Sequence, residues 1–351
     1  MIGKVTLVYT EKHMLHRDPE GSHPESPWRV EEIVRAVEES ELANEVAFAE
    51  PPGPNYSSVL LAHEEDYVEW IKKECAKGFH YVDSDTYVNE YTCDLSASFA
   101  ESSRLAALEA LGGAVTVILA RPGGHHAGLR GRAMGAPTLG FCVFDYASVA
   151  ALELVERGYR VVVLDFDAHH GNGTQEILWS EPMVLHIDIH QWQIYPGTGW
   201  VTDTGGTQAE GSKINIPLMR GAGDGEFAWV LENVVKPAVE MFKPDVVVVF
   251  AGFDGHVEDP LTGLAASEAT FALYGRYLRE LLEKDRISGA VIILGGGYGP
   301  GLVKGFTHFM NALLGSVDPP RVPHKPPGLH VEEAVPVLMK KLGALLEGLK
   351  S

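Results

Sequence analysis

Four runs of the chain are apolar without polar alternation: Arg160–Phe166, Met183–Ile189, Asp245–Gly252 and Ala290–Leu294. Such β-branched runs predict strands buried on both faces, as in a parallel sheet. The apolar stretches at the start of the chain and over Ala114–Ala120 extend the set. Between the runs, Tyr146–Arg157, Glu226–Phe242, Glu268–Glu283 and Val331–Leu349 carry the amphipathic spacing of helices. Strand and helix in repeated succession predict a doubly wound α/β fold, whose ligands bind beyond the carboxyl ends of the strands. No repeat, low-complexity tract or polar linker interrupts the pattern, so one domain is expected over residues 1–351.

The residues that follow each run carry chemistry. Asp165, Asp167 and His169 close the first, Asp254 follows the third, and Gly295-Gly296-Gly297-Tyr298 follows the fourth. Gly123-Gly124-His125-His126 follows Ala114–Ala120. Along extended backbone Asp165, Asp167 and His169 share one side, where two carboxylates and an imidazole are costly unless a cation joins them. Asp167, His169 and Asp254 make a set that binds zinc and leaves a position for water, with Asp165 behind it. Alone, the Asp-x-Asp-x-His spacing equally suits turn caps beside a core histidine; Asp254 and the histidine pair favour the metal. His125 and His126 suit an acid–base unit, with Asp165 and Asn172 available to orient them. Tyr298 suits donation to a developing oxyanion. A packing tyrosine after a glycine turn is the plainer reading of that motif alone.

Composition narrows the classes. The formal charge of −20 argues against nucleic-acid binding and permits a cationic partner. No apolar run is long enough to span a bilayer, and no signal-peptide pattern opens the chain, so a cytoplasmic location is expected. Cys75, Cys93 and Cys142 are scattered, which predicts buried free thiols in a reducing compartment.

Taken together, the motifs resemble the histone deacetylase superfamily, which includes class II-type deacetylases, acetoin-utilisation proteins and acetylpolyamine amidohydrolases. They run in family order: His23-Pro24-Glu25, Arg121-Pro-Gly-Gly-His-His-Ala127, Gly140-Phe-Cys-Val-Phe144, Leu164–Thr174, Tyr195-Pro-Gly-Thr-Gly199, Ala251–Asp254 and Gly295–Tyr298. The resemblance implies an arginase-like three-layer α/β fold with a mainly parallel eight-stranded sheet. It implies one catalytic zinc on Asp167, His169 and Asp254, with His126 as general base and acid oriented by Asn172. His125 would be its electrostatic partner, held by Asp165, and Tyr298 would polarise the scissile carbonyl. Gly140, Phe141 and Tyr195 would line a narrow acyl-lysine tunnel, with His170 behind it. A structural potassium would use Asp165 and the backbone carbonyls of Asp167, His169 and Ile189. The chain departs from the pattern at Asp145, Gly295 and Asp188, the last standing where a serine often helps bind potassium, and Gly128–Leu139 is longer than in many relatives.

The implied reaction is hydrolysis of an N-acetyl amide, either of a lysine side chain in a protein or peptide or of a polyamine. Leu261 at the rim favours the lysine substrate, whereas Asp18, Glu20, Asp83 and Asp85 would favour a polyamine if they ring the mouth. A non-catalytic module holding an acylated ligand in the same pocket is the alternative of a different class.

Overall fold

The computed structural model describes residues 5–350; positions 1–4 and 351 of the span expected for the domain lie outside them. Eight strands build the central sheet: β1 (Val5–Val8), β2 (Val46–Ala49), β3 (Val115–Ile118), β4 (Val161–Asp165), β5 (Val184–Gln191), β6 (Lys213–Leu218), β7 (Val246–Ala251) and β8 (Gly289–Leu294). Their order across the sheet is β6-β5-β4-β7-β8-β3-β1-β2, and every neighbouring pair is parallel. The unbroken apolar runs follow from this arrangement. Val161 and Val163 enter one hydrophobic core while Val162 and Leu164 enter the other, and Val246–Val249 divide in the same way. Helices Trp28–Glu38, Glu268–Glu283, Gly301–Leu314 and Leu329–Gly348 cover the face of Val162 and Leu164, and Glu65–Cys75, Thr92–Ala110 and Tyr146–Val155 that of Val161 and Val163. The result is the three-layer α/β architecture that the resemblance implied.

Three local differences from expectation have physical causes. The helix expected over Glu226–Phe242 is three pieces, with a π-helical turn at Leu231–Val235 between Asp224–Val230 and Lys236–Phe242. Pro237 near the start of the last piece has no N–H for a regular helical ladder, and the wider turn absorbs the mismatch. Cys75 and Cys93 form a disulfide, with Cα atoms 6.1 Å apart, which corrects the expectation of three free thiols. Their helices pack in one core, so residues 18 apart in sequence meet there. Cys142 alone remains a buried thiol, and the argument for a reducing compartment loses its basis. Finally, a short hairpin pairs His80–Tyr81 with Tyr87–Val88, presenting Asp83–Thr86 at its turn.

Connections leave β4 and β7 in opposite directions: the chain runs outward through β5 and β6, then returns to lay β7 on the other side of β4. A crevice opens at such a reversal. The adjacent strands β4, β7, β8 and β3 all end there, and the segments leaving them hold the metal-competent and catalytic candidates.

Candidate active site

Beyond β4 the chain folds onto its own aspartates. Asp165 Oδ1 accepts the Asp167 N–H at 2.9 Å, and Asp167 Oδ1 accepts the His169 N–H at 2.9 Å. These local bonds turn successive side chains toward one place, a usual habit of aspartate. Asp254, beyond β7, accepts the Ala168 N–H at 2.8 Å and lies 2.7 Å from His169 Nδ1. One donor atom each of Asp167, His169 and Asp254 falls within 4.8 Å of the others.

The charges in this cluster call for a cation. Burial and the neighbouring Asp167 charge push the Asp254 carboxyl up to about 7. Burial would lower His169, but its bonds to Asp167 and Asp254 raise it to about 10. Burial would also raise Asp167, yet the imidazoles of His125 and His169 hold it below the usual carboxylate range. A proton on His169 thus sits between two carboxylates where a divalent ion fits. Two carboxylate oxygens and one imidazole nitrogen are donors that zinc accepts while keeping an open position.

Both histidines of the pair are oriented from behind. His125 Nδ1 lies 2.9 Å from Asp165 Oδ2, and the ring stacks on Phe250 at 4.3 Å. His126 Nδ1 lies 2.7 Å from Asn172 Oδ1, while Asn172 Nδ2 donates to the Ala133 carbonyl at 2.9 Å. That second bond fixes the Asn172 amide, so its oxygen faces His126 and Nδ1 must be the donor. The lone pair of His126 is therefore on Nε2, 3.2 Å from His125 Nε2. Burial, reinforced by His125 and His169, holds the His126 pKa well below the ordinary histidine value, so the ring is a neutral base.

Tyr298 stands on a glycine run pressed against the metal-competent cluster. The Gly296 N–H donates to Asp167 Oδ2 at 2.5 Å. Arg29 Nε donates to the Gly297 carbonyl at 2.7 Å, a second guanidinium nitrogen to that of Gly295, and the guanidinium lies 4.8 Å from the Tyr298 ring centroid. Burial raises the Tyr298 hydroxyl well above the ordinary tyrosine value, which keeps it a donor near neutrality. Phe141 meets the Tyr298 ring edge-on at 5.8 Å.

Gly140 has φ +56°, and a Cβ there would lie 2.5 Å from His126 Cδ2 and 2.7 Å from Tyr195 Cε1, so only glycine fits. Phe141 itself has φ +66° and is held there by a 3.0 Å bond from its N–H to Thr86 Oγ1. A non-glycine residue in this region costs on the order of 1–3 kcal/mol, a strain of the kind found at functional sites. Tyr195 stands edge-on to His126 at 4.8 Å and donates to the Thr138 carbonyl at 3.0 Å. Gly140, Phe141, Tyr195, His126 and Tyr298 thus form one group, with Leu261 40% exposed beyond it.

The acids expected near the mouth are already engaged. Asp18 accepts the N–H groups of Glu20, Ser22 and His23. Asp83 accepts those of Asp85, Thr86 and Leu139, and Asp85 accepts the Thr138 hydroxyl at 2.6 Å. Asp83 and Asp85 brace the loop that carries Gly140 and Phe141, and of the four acids Glu20 alone is exposed. Asp165 belongs also to a second buried group with His186 and Asp188. His170 contacts Thr198 Oγ1 at 2.8 Å and Gln175 Oε1 at 3.2 Å, behind Gly199.

Sequence reasoning passed over Arg29, Thr86 and the Glu25–Arg121 pair beneath them. A signal for Arg29 existed: it shares a helical face with Ile33 and Val37, both fully buried, where an arginine requires a specific partner.

Comparison with known proteins identifies the family. The profile of the histone deacetylase domain matches residues 23–313. The chain belongs to the histone deacetylase family. It is 34% identical over 319 residues to an uncharacterized protein of Methanocaldococcus jannaschii, covering 91% of this chain and 90% of that one. A protein of Methanothermobacter thermautotrophicus named "probable deacetylase" is 34% identical over 317 residues, covering 89% and 91%. The chloroplastic histone deacetylase 10 of Oryza sativa subsp. japonica is 32% identical over 348 residues, covering 90% and 76%. The crystal structure of the HDA15 HD domain superposes with a TM-score of 0.85 at 27% identity, covering 100% of this chain and 98% of that one. Among the described residues, no helix is long and apolar enough to cross a membrane.

Proposed function

We propose that this chain is a zinc-dependent deacetylase, a single catalytic domain that hydrolyses N-acetyl amides of lysine side chains in proteins or peptides. The observation that carries the proposal is the fixed tautomer of His126. Its Nε2 lone pair faces His125 Nε2 at 3.2 Å, in a neutral ring, within a group that also contains a metal donor set. A module that only binds acylated ligands has no use for such a base.

Asp167, His169 and Asp254 would hold the zinc. When bound, it supplies Lewis-acid polarisation of the amide carbonyl and a more acidic water. His126 Nε2 takes the proton of the attacking water and later returns it to the departing amine, yielding acetate and free lysine. His125, bonded to Asp165, tunes the charge beside it. The Tyr298 hydroxyl donates to the oxyanion formed on the acyl carbon. Gly140, Phe141 and Tyr195 sheathe the acyl-lysine chain, and Leu261 meets the peptide at the rim. A potassium ion would lie at Asp165 with the carbonyls of Asp167, His169 and Ile189. The carboxyls of Asp165 and Asp188 are both raised, first by burial and also by surrounding carboxylates, so the fit for a cation there is electrostatic.

A lysine substrate is favoured over a polyamine because Asp18, Asp83 and Asp85 are occupied by backbone and hydroxyl donors. A polyamine tail would meet Leu261, with Glu20 the one exposed carboxylate of the four. The test compares an acetyl-lysine peptide with acetylputrescine and acetylspermidine, each with and without chelator. Chelator-sensitive turnover of the peptide at tenfold or greater advantage is expected, where about 1.4 kcal/mol corresponds to that factor. Preference for acetylspermidine would transfer the proposal to polyamines, and no turnover of any substrate would leave the binding module.

A further inference from the structure

The run Gly295–Gly299 places a hydroxyl group, yet four of its five residues are glycine, the residue with the most backbone freedom to lose. Something outside the run must fix it. Arg29 grips the carbonyls of Gly295 and Gly297 from one side. On the other side the Tyr298 N–H donates to Asp259 Oδ2 at 2.7 Å. The second oxygen of the same carboxylate accepts the Leu261 N–H at 2.9 Å. Asp259 is 8% exposed, and a carboxylate so buried is stable only when its oxygens are bonded.

The surrounding backbone reinforces the contact. A Cβ on Gly299 would lie 2.4 Å from the Glu258 carbonyl oxygen and 3.0 Å from Pro260 Cδ, so the two segments lie flush beside the carboxylate. The segment from Asp254 to Gly263 is tied at both ends. Thr262 Oγ1 donates to the Asp254 carbonyl at 2.5 Å, and the Gly263 N–H donates to Gln191 Oε1, at the end of β5, at 2.6 Å. One short segment thereby contains a metal-donor candidate, the rim residue and the carboxylate that holds Tyr298.

We propose that Asp259 is a positioning residue, which sets the Tyr298 hydroxyl for reaction by holding its backbone in register with the rim at Leu261. The proposal rests on the deacetylase reading for its kinetic consequence, though not for its structural one. An aspartate is required because two N–H donors meet two oxygens. Asparagine offers one oxygen and would set its own NH2 against the other donor.

The test uses Asp259→Asn in the full chain, loaded with zinc. With an acetyl-lysine peptide, kcat should fall about ten- to a hundred-fold while KM stays within about threefold and zinc content is unchanged. A general weakening of the fold would not respect that split. The second arm is a cycle with Tyr298→Phe, read by the affinity of octanohydroxamic acid, whose carbonyl can accept the Tyr298 hydroxyl. Asp259→Asn should weaken binding about tenfold beside tyrosine and less than about twofold beside phenylalanine. Equal losses in both backgrounds, or wild-type kcat, would overturn the proposal. If the variant does not fold, hydrogen exchange in the unmodified protein decides: the Tyr298 amide should be protected, and exchange as fast as an exposed loop amide would overturn it. A wild-type protein inert on the peptide would sink the acetyl-lysine reading while leaving the hydroxamate cycle and the exchange measurement to test Asp259.

Discussion

The site has two halves built in different ways. The metal-competent half stands directly on strand ends: Asp167 and His169 are two and four residues past the end of β4, and Asp254 is three past β7. These strands are neighbours in register, Phe250 opposite Asp165, so the sheet itself sets the spacing of the donors. In the other half Tyr298 also lies four residues past a strand, β8, but on a glycine run, and Gly140 and Phe141 lie on a loop, so its shape comes from remote side chains, namely Arg29, Asp259, Asp83 and Thr86. The first half is rigid because it is core. The second is rigid only while its braces hold, and it is the half that must admit and release a substrate.

The comparison can be broken most severely in the first half. Asp254→Ala removes a donor that no neighbour replaces, and both zinc and activity should be lost, the latter by at least about a thousand-fold. Elemental analysis checks the metal; full occupancy in the variant would remove Asp254 from the donor set. In the second half, Tyr298→Phe should keep zinc and lose about a hundred- to a thousand-fold in kcat, as removal of one oxyanion donor does elsewhere. Near-native turnover would refute the role.

A smaller effect sharpens the electrostatics of the first half. His169, raised to about 10, is protonated at pH 7 in the metal-free protein and must lose that proton to bind a metal. Zinc uptake should therefore release at least one proton, with Asp254, raised to about 7, contributing part of a second. Affinity should rise about tenfold per pH unit for each proton released, between pH 6 and 8. Competition titrations with a chelator of known pH dependence measure this, and a flat profile would contradict the assigned charge states. The same shift has a sign for stability. Because folding raises His169, its contribution to the metal-free fold is full below the unfolded histidine value and is lost as pH climbs through about 10.

This division also explains what could be read from the chain alone. The core strands β4, β5, β7 and β8 were legible because burial on both faces leaves an unbroken apolar run. Asp167, His169 and Asp254 followed, since their places are offsets from strand ends. Asp259 lay just beyond Asp254, but its partner Tyr298 is 39 residues away, and Arg29 reaches its glycine carbonyls across 266 and 268 residues. No local pattern encodes such meetings. The same limit applies to Cys75 and Cys93, whose pairing depends on how two helices pack, and to Asp83 and Asp85, whose surface-like composition hid their use as acceptors of backbone N–H groups and threonine hydroxyls respectively. The helix interruption at Leu231–Val235 was signalled by Pro237, inside a pattern that otherwise read as continuous.

The order of strands has one more consequence, for how the molecule comes into being. Strands β2, β1 and β3 form one block near the start of the chain, and β6, β5, β4 and β7 form another from its middle. Only β8, the last strand to be synthesised, lies between them, pairing with β7 on one side and β3 on the other. The histidine pair follows a strand of the first block and the metal donors follow strands of the second. Neither block holds a whole active site. Residues 289–294, the last strand of the sheet along the chain, join the blocks within the sheet, and the same strand leads straight into Tyr298. The pairing of β8 with β3 and β7 is a long-range contact of the kind that slows folding, and a chain cut before residue 289 would lack both the joining strand and Tyr298.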